Sequence, residues 1–371
     1  MKPLHVIVAG LGAMGSAAAW QLAVAGHRVT ALDRWHPPHP HGSTHGETRV
    51  TRATAWEGAE YVPLVRRANE LWAELERASG LTLRDRVGGL FVGQREDEIV
   101  AGSRASAVAT GAAHMELGPE DARRLVPGLH VEPRWVGFLD GEAGVLHPDA
   151  IILALHAAAV AKGADLGYDE SLVEWAADGD GVRVTTTRGE LRADRLVLAL
   201  GAWMGEHLEP LGVPLRIERQ TMHWFDASGA PGGDEVRPVI IASDGSAHAT
   251  VIFPVKDGLV KVAGHGLGET MHPDQVDRAI HAEDIAPAAQ AMSELFPGRY
   301  GAHRRAATCL YTRTPDGHFI IDRHPEFPQV VLASPCNGVG FKFASAVGEA
   351  LASLATGREP AVSLAPWRIR R

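Results

Sequence analysis

Residues 4–15 read Leu4-His-Val-Ile-Val-Ala-Gly10-Leu-Gly12-Ala-Met-Gly15. The apolar run Leu4 to Ala9, stopped by glycine, predicts a short buried strand of a parallel sheet. Ala13 to Ala25 predicts a helix closed by Gly26, and Arg28 to Leu32 predicts a second strand ending at Asp33. The three form a βαβ unit. Each glycine has a mechanical task in it. Gly10 permits the tight turn, Gly12 lets backbone approach a pyrophosphate, and Gly15 lets helix pack on strand. The phosphates then face a helix N-terminus. Asp33, 18 residues past Gly15, stands where a carboxylate accepts ribose hydroxyls. An acid there disfavours a 2′-phosphate, so a dinucleotide other than NADP is predicted. The motif does not separate NAD from FAD.

The rest of the composition narrows the class. A length of 371 residues predicts roughly two domains. The apolar share of 45% and charged share of 22% suit a globular chain with a large core. The net charge of −9 argues against a nucleic-acid partner. No apolar stretch reaches the ~20 residues of a membrane span, and the opening apolar run is too short for a signal peptide. Only Cys309 and Cys336 occur. They predict no disulfide framework and favour a reducing, cytoplasmic compartment. His36, His39, His41 and His45 crowd a Pro/His/Gly-rich loop that reads either as metal-binding or as irregular chain beside the cofactor. No carboxylate or cysteine spacing supports the first reading, so no metal is expected.

Farther along, Val62 to Ser79 and Pro148 to Lys162 predict helices, and Leu196 to Leu200 another buried strand. Between about 213 and 265, four strand-like runs are separated by Gly, Pro and Asp: Leu215 to Phe225, Val239 to Ala242, Thr250 to Phe253 and Leu259 to Ala263. They predict a mainly antiparallel sheet. Gln275 to Leu295 reads as mostly helical, and Phe341 to Ala355 as the last helix. The fold class expected is α/β with two domains. Residues 1–85, 145–210 and 310–371 form a discontinuous Rossmann-like nucleotide domain. Residues 86–144 and 211–309 form the inserted antiparallel substrate domain.

Two features near the C-terminus carry chemistry or are bland. Cys309 reads as a small buried hydrophobe or as an activated thiolate. Gly338-Val-Gly340 reads as an ordinary turn into a helix, or as a helix start whose N–H groups cushion the charge of a reduced isoalloxazine.

Taken together, Gly10 to Gly15, Gly42-Ser43-Thr-His-Gly-Glu-Thr48-Arg49-Val-Thr-Arg52, Cys309-Leu-Tyr311-Thr and Gly340-Phe341-Lys342-Phe-Ala-Ser345 resemble the monomeric sarcosine oxidase and N-methyltryptophan oxidase family, a branch of the D-amino acid oxidases. The resemblance runs from about residue 4 to 355. It implies a monomeric FAD oxidase that removes two electrons from the C–N bond of a secondary amino acid and reduces O₂ to H₂O₂. It implies FAD joined through its 8α carbon to Cys309. Arg52 and Lys342 match the pair that holds the substrate carboxylate. Arg49 matches a cation beside the flavin, and Ser43, Thr48, Gly338, Gly340 and Phe341 lie in the cofactor-binding segments. Lys261 matches a lysine that holds a water over the ring and supports O₂ reduction. His265 and Tyr311 match side chains near substrate and ring. A second reading of Arg52 is a structural ion pair with Glu57.

The chain also departs from the family. Val339 replaces a histidine, Thr250-Val251-Ile252 replaces an aromatic pair, and Ala55 replaces an aromatic after Arg52. These losses predict a wider or relined pocket. A fructosyl amino acid oxidase, an amine dehydrogenase with another acceptor, and a non-catalytic flavin-binding protein are the alternatives.

Overall fold

A computed structural model describes residues 2–228, 238–243, 245, 248–266 and 268–370. Its first sheet has six strands in the order Ile320–Arg323, Val330–Ser334, Arg195–Leu198, His5–Ala9, Arg28–Leu32 and Asp165–Gly167. All neighbours are parallel except the first pair. The apolar runs are continuous because both faces are covered. Val6, Val8, Val29 and Val197 pack with the helices Ala13–Val24, Tyr61–Ser79, Pro148–Ala161 and Ala344–Ala355. Ile7, Ala9, Leu196 and Leu198 face the other way, against the three-stranded sheet Leu172–Asp178, Gly181–Thr186 and Gly189–Ala193. The expected βαβ unit is therefore present. A Cβ on Gly15 would collide with the Gly10 carbonyl, which is how closely this helix meets its strand.

The second sheet is larger and mostly antiparallel. Its order among the described residues is Glu269–Thr270, Arg216–Asp226, Leu259–His265, Ala249–Ile252, Val239–Ser243, Gly89–Gln94, Trp135–Asp140 and His114–Leu117, with His303–Arg313 also paired to Arg216–Asp226. Only Val239–Ser243 runs parallel to its neighbour Gly89–Gln94. Strand His303–Arg313 matches Arg216–Asp226 through ten registered pairs, Gln220 opposite Cys309 among them. The domain boundary expected at 309/310 thus falls inside one strand of this sheet.

Three features differ from expectation. Helix Ala282–Leu295 is shorter than the predicted span, because residues 277–279 turn back to hydrogen-bond the Arg219 guanidinium. The last helix begins as one 3₁₀ turn, Gly340–Phe343, before Ala344–Ala355. Helix Glu98–Thr110, capped by the Asp97 carboxylate on the Ile99 and Val100 N–H groups, was not assigned from sequence. Its Ala, Ser and Gly residues give no strong apolar stripe.

The end of strand Trp135–Asp140 organises the chain after Arg52. The buried Asp140 carboxylate accepts from Ala53 N, Thr54 N and Thr54 Oγ1 through one oxygen, and from Glu142 N and Ala143 N through the other. Asp140→Ala leaves these five donors without their acceptor. It is expected to lower unfolding stability by about 3 kcal/mol, read as a lower urea midpoint at unchanged slope.

Candidate active site

A cavity of about 740 Å³ runs between the two sheets. That lies in the upper part of the ~300–1,000 Å³ range of small-molecule sites. One end is lined by Gly10, Gly12 and Asp33, the other by Cys309, Tyr311 and Lys342. The two ends of the chain therefore share one space. Asp33 accepts from Leu11 N at 2.7 Å and Trp35 N at 2.9 Å. Oδ2 keeps a second lone pair for a ligand hydroxyl, while Oδ1 also has His39 Nε2 at 3.5 Å. Gln220 Nε2, Thr312 Oγ1 and Ser334 Oγ are buried, lie on cavity-lining residues and lack partners among the described residues. Orphaned polar atoms along a long cleft, with a glycine turn and an acid at one end, fit a flavin dinucleotide. The residues that would hold it are Gly10, Gly12, Asp33, Ser43, Thr48, Arg49, Gln220, Cys309, Gly338 and Phe341.

The segment 43–49 is fastened across to the second sheet. Ser43 Oγ donates to Leu310 O at 2.5 Å. Lys261 Nζ donates to Gly46 O at 2.6 Å, Thr48 O at 2.9 Å and Thr48 Oγ1 at 3.1 Å. Arg49 donates to Thr48 O and Ser43 O, both at 2.8 Å. Burial, and then the Arg49 charge, push the Lys261 ammonium well below its ordinary pKa. Burial raises the Cys309 thiol, while Arg49 and Lys261 pull it back toward thiolate. His45 is buried beside the same two cations and held to about 3, so its ring is neutral. The rings of His39 and His41 pack on Trp35, and that of His36 on Tyr168.

The Gly338–Lys342 turn closes the other wall. A Cβ on Gly338, at φ +77°, would strike the Tyr311 ring at 2.5 Å. Trp72 Nε1 holds Lys342 O at 3.1 Å, and the Phe341 ring stacks on Trp72. Lys342 Nζ and Arg52 both reach Glu57 Oε1, at 3.1 and 2.5 Å. Glu57 lies behind the two cations and is not among the cavity-lining residues. Its own burial would raise its pKa, but Arg52 and Lys342 outweigh this and hold it at about 2. The two readings of Arg52 are thus compatible: Nη2 takes Glu57, while Nη1 is buried without a partner. With Lys342 protonated the triad carries a net +1, the complement of one carboxylate. Burial and the Arg52 charge lower Lys342 to about 7.

Beside the triad, His265 Nδ1 lies 3.3 Å from Tyr311 OH. Burial, reinforced by the Arg313 charge, lowers His265 to about 4, and burial raises the Tyr311 phenol. Both are neutral near pH 7. The structure brings Arg49, Arg52, Lys261, His265, Cys309, Tyr311 and Lys342 onto one cavity.

The expectation for Ala55 is overturned. Ala55 is 0% exposed, does not line the cavity, and gives its N–H to Ser106 Oγ at 3.0 Å. Its neighbour Trp56 lines the cavity instead, with the Arg52 guanidinium carbon 3.5 Å from the indole centroid. Trp56, Glu57's bridging role and Asp140 were missed as site residues. The signal for the first two is an aromatic and an acid four and five residues after Arg52; nothing local marks Asp140.

A family model described as FAD dependent oxidoreductase matches residues 5–354. Monomeric sarcosine oxidase of Streptomyces avermitilis is 39% identical over 362 residues, covering 96% of this chain and 94% of that protein. N-methyl-L-tryptophan oxidase of Citrobacter koseri is 30% identical, covering 99% of this chain and 98% of that protein. Among solved structures, the open form of NikD, titled an unusual amino acid oxidase essential for nikkomycin biosynthesis, superposes with a TM-score of 0.86. It is 24% identical and covers 99% of this chain and 98% of that one, a likeness of fold.

The Lys342 charge sets a pH dependence. Acetate is expected to bind tightest below pH 7, where the ammonium is protonated, and to weaken as pH rises through about 7. In Lys342→Met that inflection is absent, as titration calorimetry across pH 6–9 will show.

Proposed function

We propose that this chain, which belongs to the FAD dependent oxidoreductase family, oxidises the C–N bond of sarcosine or another N-alkyl amino acid with O₂ as electron acceptor. One observation carries the reading. The buried triad Arg52–Glu57–Lys342 places a net positive charge on the wall of a cavity shared with Cys309 and the dinucleotide turn, and Arg52 Nη1 within it has no partner among the described residues.

FAD, when bound, supplies the two-electron acceptor and returns the pair to O₂ as H₂O₂. The chain's own residues do the rest. Arg52 and Lys342 grip the carboxylate and so orient the amine. Their positive field disfavours an ammonium nearby, which favours the neutral amine whose lone pair assists C–N oxidation. Neutral His265 and Tyr311 line the site without adding charge. The imine product leaves for water and hydrolyses there. On the opposite wall Arg49 offers fixed positive charge to oxygen as it is reduced, and Lys261, held beside it by Gly46 O, Thr48 O and Thr48 Oγ1, adds to that field when protonated. We assign the covalent tether at the 8α carbon to Cys309, supported by its place on the cavity wall within the field of Arg49 and Lys261. We take the monomer as the active unit, since every group named comes from one chain. Two unpaired thiols suit a reducing cytoplasm.

An aerobic panel of N-alkyl amino acids read by peroxide release tests the assignment. Sarcosine or a close analogue is expected to yield H₂O₂ and, without O₂, to bleach the flavin. Failure of every secondary amino acid to bleach it would sink the reading. Acid precipitation is expected to leave a yellow pellet, and Cys309→Ser to move the colour to the supernatant. Lys261→Met is expected to slow reoxidation by O₂ about a hundredfold while anaerobic flavin reduction persists, both followed by stopped-flow absorbance.

A further inference from the structure

We propose that Trp56 is the specificity-determining wall of the amino acid site: it closes the space beside the substrate α-carbon and selects amino acids with hydrogen or a small group there. The inference rests on the reading of Arg52 and Lys342 as the carboxylate grip.

The geometry is tight on three sides. The Arg52 guanidinium lies against the indole face, its carbon 3.5 Å from the centroid. His265 meets the indole edge-to-face at 5.8 Å, and Lys342 Nζ stands 6.0 Å from its centroid. The indole is therefore ringed by the carboxylate grip and by the histidine of the same cavity. A carboxylate oxygen bonded to Arg52 sits about 2.8 Å from a guanidinium nitrogen, and the α-carbon is two bonds farther on. A group on that carbon therefore has the indole, stacked on the same guanidinium, as a near neighbour.

The wall is also held from behind. Helix Glu98–Thr110 brings Gly102 so close that a Cβ there would lie 2.9 Å from Trp56 O and 3.1 Å from its Cα. Ser106 of the same helix accepts the Ala55 N–H. Asp140 accepts the Ala53 and Thr54 N–H groups. Phe91 meets the ring edge-on at 6.1 Å. Four successive residues are pinned, so the indole does not retreat to admit a large substituent. The pocket widening expected from Ala55 is thereby reversed at the α-carbon, while Val251 and Val339 remain small on the cavity lining.

Trp56→Ala and Trp56→Phe of the flavin-loaded protein test this against sarcosine and N-methylphenylalanine. In Trp56→Ala the ratio of kcat/KM for N-methylphenylalanine over sarcosine is expected to rise at least about tenfold, mostly through KM. Trp56→Phe, which keeps an aromatic and the fold, is expected to lie between. Loss of Arg52 support alone would weaken both substrates alike and leave the ratio unchanged, and an unchanged ratio in both variants overturns the proposal. Binding separates this from failure of the catalytic reading. Should neither substrate turn over in the wild type, acetate and phenylacetate titrated into the same proteins still probe the α-carbon space. The Kd for phenylacetate relative to acetate is expected to fall about tenfold in Trp56→Ala, and an unchanged relative Kd overturns the wall.

Discussion

Glu57 is a buried carboxylate that holds together cations from opposite ends of the chain. Arg52 follows the short strand Arg49–Thr51, and Lys342 sits in the turn before the last helix. Each of the three charges is too buried to stand alone. A charge removed from water is tolerated where partners replace its hydration. The acid therefore commits the N-terminal and C-terminal segments to one position. It also sets the sign of the site, since two cations less one anion leave a single positive charge facing the cavity. Hydrophobic burial in the two sheets builds the frame, but this triad determines what the frame attracts.

Around it the segment 43–57 acts as a seam between the sheets. Ser43 bonds to the strand of Cys309, Lys261 caps the carbonyls of Gly46 and Thr48, and Asp140 and Ser106 take the N–H groups of 53–55. These contacts join residues more than fifty positions apart. The seam places one group of cations, Arg49 and Lys261, beside Cys309, and another, Arg52 and Lys342, beside His265. In the proposed function, that separation lets one wall receive a carboxylate while the other serves oxygen. The neutral His265–Tyr311 pair lies beside the Arg52–Lys342 group and adds no further charge there.

Much of this was legible in the chain itself. His5–Ala9, Ala13–Val24 and Arg28–Leu32 were plain because glycine turns and apolar runs are local signals. The strands Leu259–His265 and Val239–Ser243 showed for the same reason. Helix Glu98–Thr110 did not, since its small residues bury without a periodic stripe. Strand His303–Arg313 was equally quiet: its charged first residues and half-buried middle lack clean alternation, and its pairing with Arg216–Asp226 is nonlocal. For the site, the motifs singled out Arg52, Lys342, Cys309 and Lys261, and all four line one cavity. They misjudged position 55, because a substitution read in isolation does not reveal that the next residue turns the other way.

Residue types and their spacing determined the βαβ unit with its glycine turn at the N-terminus, the membership among FAD dependent oxidoreductases, and which side chains to look for on one cavity. These follow from local backbone demands and from motifs whose chemistry travels with them. Tertiary structure alone decided that Ala55 is buried under a helix and Trp56 faces the cavity, and that Glu57 bridges two cations without blocking them. It also decided that one Asp140 carboxylate holds the intervening backbone. Each outcome depends on which partner a buried group finds across the fold, and that is settled by packing between distant segments.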